Sequence, residues 1–151
     1  MQKGNKIMKK RVLITIVSVL MLCVFAFAFT ACDKASAEVL DMAKQVLFNL
    51  DEAYKDGVEV LQLEYAKMES YEYWGIDCEC YWVRIVLEFV TPYGLSGYNV
   101  YYQFWYRDSA GNYRREVCSG ADYAYNVPNA KETGKLSKIQ IKELNKYIKE
   151  N

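Results

Sequence analysis

The sequence predicts an α+β domain: an N-terminal helix, an antiparallel sheet of about four strands and a C-terminal helix. Two observations carry this prediction. Apolar residues recur every three or four positions between Ser36 and Tyr54 and again after Ser137, which is the period of an amphipathic helix. Between these stretches, side chains alternate along Tyr81–Thr91 and Tyr98–Arg107, which is typical of strands. Helices that flank a run of strands favour a helix packed on one face of a sheet.

The first helix is predicted over Ser36–Tyr54, with its first residue as the N-cap and Gly57 as the stop. Val58–Met68 follows and alternates between apolar and polar side chains, so we predict a strand there. A helical turn from Leu61 is the alternative. Residues 69–77 are rich in polar and aromatic side chains and are predicted to be a connector.

The two central strands are predicted to pair across the turn "TPYGLSG", with Thr91 opposite Tyr98. A buried face selects the register of a strand pair, so apolar residues should meet across it. The predicted register meets this requirement with four pairs: Val83 with Tyr106, Ile85 with Phe104, Leu87 with Tyr102 and Phe89 with Val100.

The last third of the chain is predicted to form a hairpin, a loop and a helix. The turn "DSAGN", with Asp108 facing Tyr113, leads into a strand over Tyr113–Cys118. Ser137 and Gln140 have the spacing of a capping box at the start of the second helix. This order of elements resembles the cystatin-like and nuclear-transport-factor-like architectures of small exported bacterial proteins. The resemblance implies a fold class and no site residue.

The first 31 residues have the three parts of an export signal. Basic residues precede Val12, an apolar stretch extends to Phe29, and small residues come before Cys32. The sequence "FTAC", Phe29 to Cys32, resembles the bacterial lipobox, with Phe29 in place of the usual Leu. The resemblance implies that Cys32 carries a diacylglycerol group and becomes the first residue of the mature protein.

Lipid on Cys32 would hold the domain at the extracytoplasmic side of the cell membrane, because two or three acyl chains anchor a protein stably. We therefore expect a signal peptide over residues 1–31, a short tether over 32–36 and the α+β domain over 37–151. Two alternatives stay open. The apolar stretch of 20 residues from Val12 to Ala31 is long enough to be a retained transmembrane anchor, and "AFA" or "ASA" are sites for ordinary signal peptidase.

Composition excludes several functional classes. The chain has no histidine, which excludes catalysis by imidazole and zinc sites with histidine ligands. Residues 32–151 carry 14 basic and 19 acidic side chains, and this acidic balance argues against a nucleic-acid partner. No metal or cofactor is expected. The acidic residues between Glu64 and Glu79 are predicted to be solvated. The lysine-rich face of the last helix is also predicted to be solvated, and binding of this face to anionic lipid is the alternative.

Three cysteines lie in the domain: Cys78, Cys80 and Cys118. The predicted registers place Cys118 opposite Gln103, which is roughly 20 to 26 Å from the other two at about 3.3 Å per strand residue. A disulfide needs Cα atoms within about 7 Å, so free thiols are expected. Redox or metal chemistry at Cys78 and Cys80, and a disulfide in a different topology, are the alternatives.

The predicted register also gives the sheet a second face that is a candidate binding face, formed by Trp82, Arg84, Tyr101, Trp105 and Arg107. Aromatic and arginine side chains are enriched where proteins grip partners. An outer face that only stabilises strand pairing, or that a helix covers, is the alternative.

These features predict a membrane-anchored lipoprotein that binds a protein or a small molecule and is not an enzyme. The alternative is an enzyme that works without histidine, through carboxylates or thiols.

Overall fold

The computed structural model describes residues 34–47, 57–91 and 93–151. The predicted export signal, Cys32 and the predicted helical residues from 48 onward lie outside the described residues. Ser36–Asn151 forms one compact unit.

The predicted α+β class is confirmed, with five strands instead of about four. The sheet is antiparallel throughout, and its strand order is β4-β3-β2-β1-β5. The elements in chain order are α1 (34–46), β1 (Val58–Met68), β2 (Cys80–Val90), β3 (Ser96–Arg107), β4 (Tyr113–Cys118), α2 (Gly120–Asn126), β5 (Glu132–Lys135) and α3 (Lys138–Glu150). The strand predicted over Val58–Met68 is therefore confirmed.

One face of the sheet is covered by both α1 and α3, where the sequence predicted a helix. Tyr81 of β2 donates a hydrogen bond from its hydroxyl to Glu38 of α1 at 2.8 Å, and Lys44 of α1 is ion-paired with Glu143 of α3 at 2.5 Å. The predicted capping box at Ser137 and Gln140 is present. The main core lies between these layers and is apolar apart from a few buried polar side chains. Its buried members include Val39, Met42, Leu63, Val83, Ile85, Trp105 and Leu144.

Ser36 does not cap α1, because the helix begins before it. The side chain lies inside the helix, where its oxygen accepts a hydrogen bond from the Gln140 side chain at 3.2 Å. Ser36 therefore joins the two helices of this layer.

The register predicted for the two central strands is wrong by three positions. Trp82 pairs with Phe104 and Ile85 with Tyr101, so the residues predicted to meet lie on opposite faces. The cause is a tighter turn: the Thr91 amide donates to the Leu95 carbonyl at 2.7 Å, and only three residues separate them. Gly94 supplies the positive φ of 79° that such a loop requires.

The next hairpin has the same loop. The Asp108 amide donates to the Asn112 carbonyl at 2.9 Å, and Gly111 has a φ of 83°. Arg107, and not Asp108, therefore faces Tyr113, which puts Cys118 opposite Tyr102 instead of the predicted Gln103.

The second face of the sheet has its own small core at one end. Ala66, Cys80, Trp82 and Phe104 are buried there. The connector predicted over residues 69–77 covers them. Its residues Tyr71 and Trp74 pack their rings on Trp82 and Phe104, and the distances between ring centroids in this group of four are 4.9 to 6.1 Å. Helix α2, inside the predicted loop, completes the cover with Tyr123.

Within the described residues, no helix has the length and apolar character needed to cross a membrane.

Candidate interaction surface

The five residues of the predicted binding face do not share a surface. Trp82 and Trp105 are 1% and 0% exposed and belong to the cores on opposite faces of the sheet. The Trp105 indole donates to the buried Gln103 side chain at 2.8 Å. The prediction of one exposed face is therefore wrong, because the shift in register moved the residues of β3 relative to those of β2.

The other three members of that predicted face are also separated from one another. Arg84 is ion-paired with Glu64 on the neighbouring strand at 3.2 Å. Arg107 lies at the far end of β3, with its guanidinium 4.5 Å from the ring centroid of Tyr113. Tyr101 is partly exposed and lies on the opposite face from Arg84.

The three domain cysteines are free thiols, as predicted. Cys80 and Cys118 pair with Tyr106 and Tyr102, which are about 13 Å apart along β3. Burial raises the pKa of Cys80 to about 12 and that of Cys118 to about 11, so both are protonated at neutral pH. No group of side chains able to hold a metal ion occurs in the described part of the chain.

Three groups that an enzyme without histidine could use lie apart. Glu64 borders a shallow cavity of about 330 Å³, beside Tyr123 and Lys135, and its carboxylate is held by Arg84 and by the Gln62 amide. Glu88 lies opposite Tyr98 near the other end of β2, and Cys80 begins that strand. Glu64, Glu88 and Cys80 are therefore separated from one another along the sheet.

The far end of the β2–β3 hairpin exposes many apolar side chains. We call the described residues from Val90 to Tyr101 the hairpin arm. It holds half of the large apolar side chains that are exposed among the described residues, with exposed fractions from 40% to 91%: Val90, Tyr93, Leu95, Tyr98, Val100 and Tyr101. Exposed apolar surfaces of this extent mark sites of interaction in soluble domains.

The arm also has a backbone edge that no other described strand pairs with. The amide of Thr91 donates to the carbonyl of Leu95, so these two residues form a hydrogen-bonded pair. In an antiparallel pair of strands such pairs recur at every second residue, so Ser96, Tyr98 and Val100 lie at the positions between them. The peptide groups of Ser96, Tyr98 and Val100 therefore point away from β2. Strand β4 pairs with β3 only from Tyr102 onward, so no strand in the described ranges meets these three peptide groups.

The free edge lacks the features by which proteins block unwanted strand pairing. The segment Ser96–Tyr101 has no charged residue and no proline, whereas the edge strand β4 carries Arg114, Arg115 and Glu116. Charged side chains discourage another strand from adding to an edge. The first half of β3 is thus open to strand addition, and β4 is protected from it.

Sequence patterns contained a partial signal for this surface. The segment from Tyr93 to Tyr101 has no charge and several large apolar side chains, which is unusual next to a turn. The alternation predicts a buried face that includes Tyr98 and Val100, because alternation alone does not tell a covered strand from an uncovered one.

Comparison with known proteins gives no relative: no family model, no curated protein and no solved structure matches the chain.

Proposed function

We propose that the protein is a membrane-anchored, extracytoplasmic lipoprotein that binds an extended segment of a partner protein and is not an enzyme. The partner segment adds as a strand to the free edge of β3, and its side chains pack on the hairpin arm. The observation that carries this proposal is the row of outward-pointing peptide groups at Ser96, Tyr98 and Val100, flanked by exposed apolar side chains.

The chemistry of the edge supports an extended polypeptide as the ligand. Strand addition draws affinity from main-chain hydrogen bonds and specificity from alternate side chains. Tyr98 and Val100 point to one face and Tyr101 to the other, so both faces of an added strand would meet apolar surface.

The position of the arm supports binding by a tethered domain. Glu38, close to the point where the chain enters the domain, bonds to Tyr81 near the start of β2. The arm begins at Val90, which is about 30 Å away along the same strand. The arm and the point where the chain enters the domain therefore lie far apart on the sheet.

Site-specific photo-crosslinking in living cells tests the binding site. A photoreactive amino acid in place of Tyr93 should capture one partner, whereas the same amino acid in place of Tyr125, an exposed tyrosine on α2, should not. Val100→Pro in the crosslinking protein should abolish capture, because proline removes the outward N–H. Val100→Ala keeps that N–H and should retain most of the capture. Equal capture from both positions, or capture that survives the proline, would refute the site.

The anchor is tested separately by metabolic labelling with a clickable fatty acid. Wild-type protein should be labelled and the Cys32→Ser variant should not. Label that persists in the variant would rule out lipid on Cys32. An unlabelled wild-type protein that stays in the membrane fraction would instead support the retained transmembrane anchor.

A further inference from the structure

We infer that the exposed face of α3 docks on the anionic lipid surface of the membrane that anchors the protein. This lysine face consists of Lys138, Ile139, Lys142, Lys146 and Lys149. The inference rests on the proposed function only in that the chain must be held at a membrane shortly before Ser36.

The lysine face is one continuous stripe of the helix. At 100° per residue, its four lysines fall within about 80° of one another and Ile139 lies at the border of that sector. The stripe points away from the main core, to which the helix contributes Ile141, Leu144 and Ile148. Ile139 is 79% exposed, and an apolar side chain among lysines is typical of helices that lie on membrane interfaces.

The charge of the chain is divided in a way that suits this orientation. Residues 131–151 carry six lysines and three glutamates, whereas residues 32–130 carry eight basic and 16 acidic side chains. A negative surface therefore attracts the end of the domain that contains α3 and repels the rest.

The lysines of the stripe are largely available to lipid headgroups. Lys138, Lys142 and Lys149 form no ion pair with another described residue, and Lys146 reaches only Glu150, at 3.8 Å on the exposed surface. Exposed pairs four residues apart on a helix contribute little. Glu59 and Glu150 border the same surface as Lys142, Lys146 and Lys149, so the balance of charge there is still positive.

The connection between the proposed anchor and the domain is short. Ser36 bonds to Gln140, which lies on the flank of α3 away from the stripe. Residues 34–36 already belong to α1, so only the chain from Cys32 to Lys34 can extend, over about 7 Å. A lipid on Cys32 would therefore keep α3 close to the bilayer surface, whose electrostatic attraction acts over about 8 Å at physiological salt.

Quenching by lipids with brominated acyl chains tests the inference on the full anchored chain. Ile139→Trp protein is inserted into preformed vesicles of phosphatidylcholine, with or without phosphatidylglycerol. Quenching beyond that of the wild-type tryptophans should appear only in the anionic vesicles and should be lost in 0.5 M salt. Each lysine strengthens attraction to such a surface about fivefold.

A pair of charge-matched variants provides the control. In the Ile139→Trp protein, Lys142→Glu with Lys146→Glu should reduce quenching to the level of neutral vesicles. Arg114→Glu with Arg115→Glu makes the same change in net charge on β4 and should leave quenching unchanged. Equal quenching in the two kinds of vesicle, or equal loss in both variants, would overturn the inference. The mass of the purified chain reports lipid on Cys32 independently, so failure of the lipid anchor and failure of docking are told apart.

Discussion

Asn145 closes the outer edge of β1 at a point where no strand of the described ranges pairs with it. β5 pairs with β1 only over Glu64–Lys67, and β1 has a bulge next to Leu61. Beyond the bulge, the Asn145 side chain accepts from the Val60 amide and donates to the Val60 carbonyl, each at 2.8 Å. A buried amide on a helix thus takes the place of a neighbouring strand and ties α3 to the sheet.

Asn145→Leu should lower the free energy of unfolding by about 2–4 kcal/mol, because it leaves a buried N–H and a buried carbonyl of Val60 without partners. Equilibrium unfolding in urea measures the change. Lys142→Ala on the same helix, at an exposed position, should change stability by no more than about 0.5 kcal/mol. A loss for Asn145→Leu as small as that of the control would show that the amide bonds contribute little.

Cys80 should make the fold sensitive to alkaline pH. Burial, with a smaller effect of Cys78, raises its pKa from 9.0 to about 12 in the folded chain. The neutral thiol is favoured in the folded state, so its contribution to stability is complete below pH 9 and declines as pH rises toward 12. The slope is at most about 1.4 kcal/mol per pH unit.

Unfolding in urea under reducing conditions at pH 7.5, 9 and 10.5 measures this dependence. Cys80→Ala lowers stability at every pH because it leaves a cavity, but its decline above pH 9 should be shallower than that of the wild type. Parallel declines would mean that Cys80 does not titrate in this range.

At the scale of elements, the periodic patterns were sufficient for α3, β1, β2 and β3, because their apolar stripes face a core. β4 has no buried residue and was predictable from the turn that precedes it. β5 was missed because the edge strand "ETGK" carries no apolar side chain. The capping box of Ser119 and Asp122 marks the start of α2, but the helix has only seven residues and a weak pattern.

The register failed for a different reason. β2 is apolar on both faces, with Trp82 in one core and Val83 in the other, because the sheet is covered on both sides at that end. Alternation then gives no preference between even and odd alignments. The turn decides the register, and the three-residue loop closed by Thr91 and Leu95 was not recognised. The binding face predicted from the sequence is wrong for the same reason, because it depends on the register.

An engineered disulfide tests the register. Glu88 and Tyr98 form a pair without mutual hydrogen bonds, in which Cα atoms are about 4.5 Å apart and within the range of a disulfide. The variant Glu88→Cys with Tyr98→Cys should therefore crosslink on oxidation, and peptide mapping by mass spectrometry identifies the bond among the native cysteines.

Glu88→Cys with Tyr101→Cys is the matched control, because these positions face each other only in the register predicted from the sequence. In the structure they lie on opposite faces of the sheet and should stay reduced. A disulfide in the control variant and none in Glu88→Cys with Tyr98→Cys would favour the register predicted from the sequence. The proposed binding edge of β3 would then be ruled out.

At the scale of the whole molecule, the sheet is unevenly covered. One end has helices on one face and the aromatic group around Trp82 and Phe104 on the other. The other end has the helical layer alone, and the hairpin arm extends from it with exposed apolar side chains. The two cores and the proposed binding surface thus lie at opposite ends of the same two strands, so a partner on the arm would not disturb either core.

Two aromatic residues on one face of β3 test this division. Phe104→Ala should lower the free energy of unfolding by about 3–5 kcal/mol, because the ring is fully buried against Trp82, Tyr71 and Trp74. Tyr98→Ala, at a position 69% exposed on the same face, should change it by no more than about 0.5 kcal/mol while it weakens capture of the partner. Urea unfolding and photo-crosslinking from position 93 give the two readouts. A large loss of stability from Tyr98→Ala would mean that the arm belongs to the core, and the surface proposed for binding would then be structural.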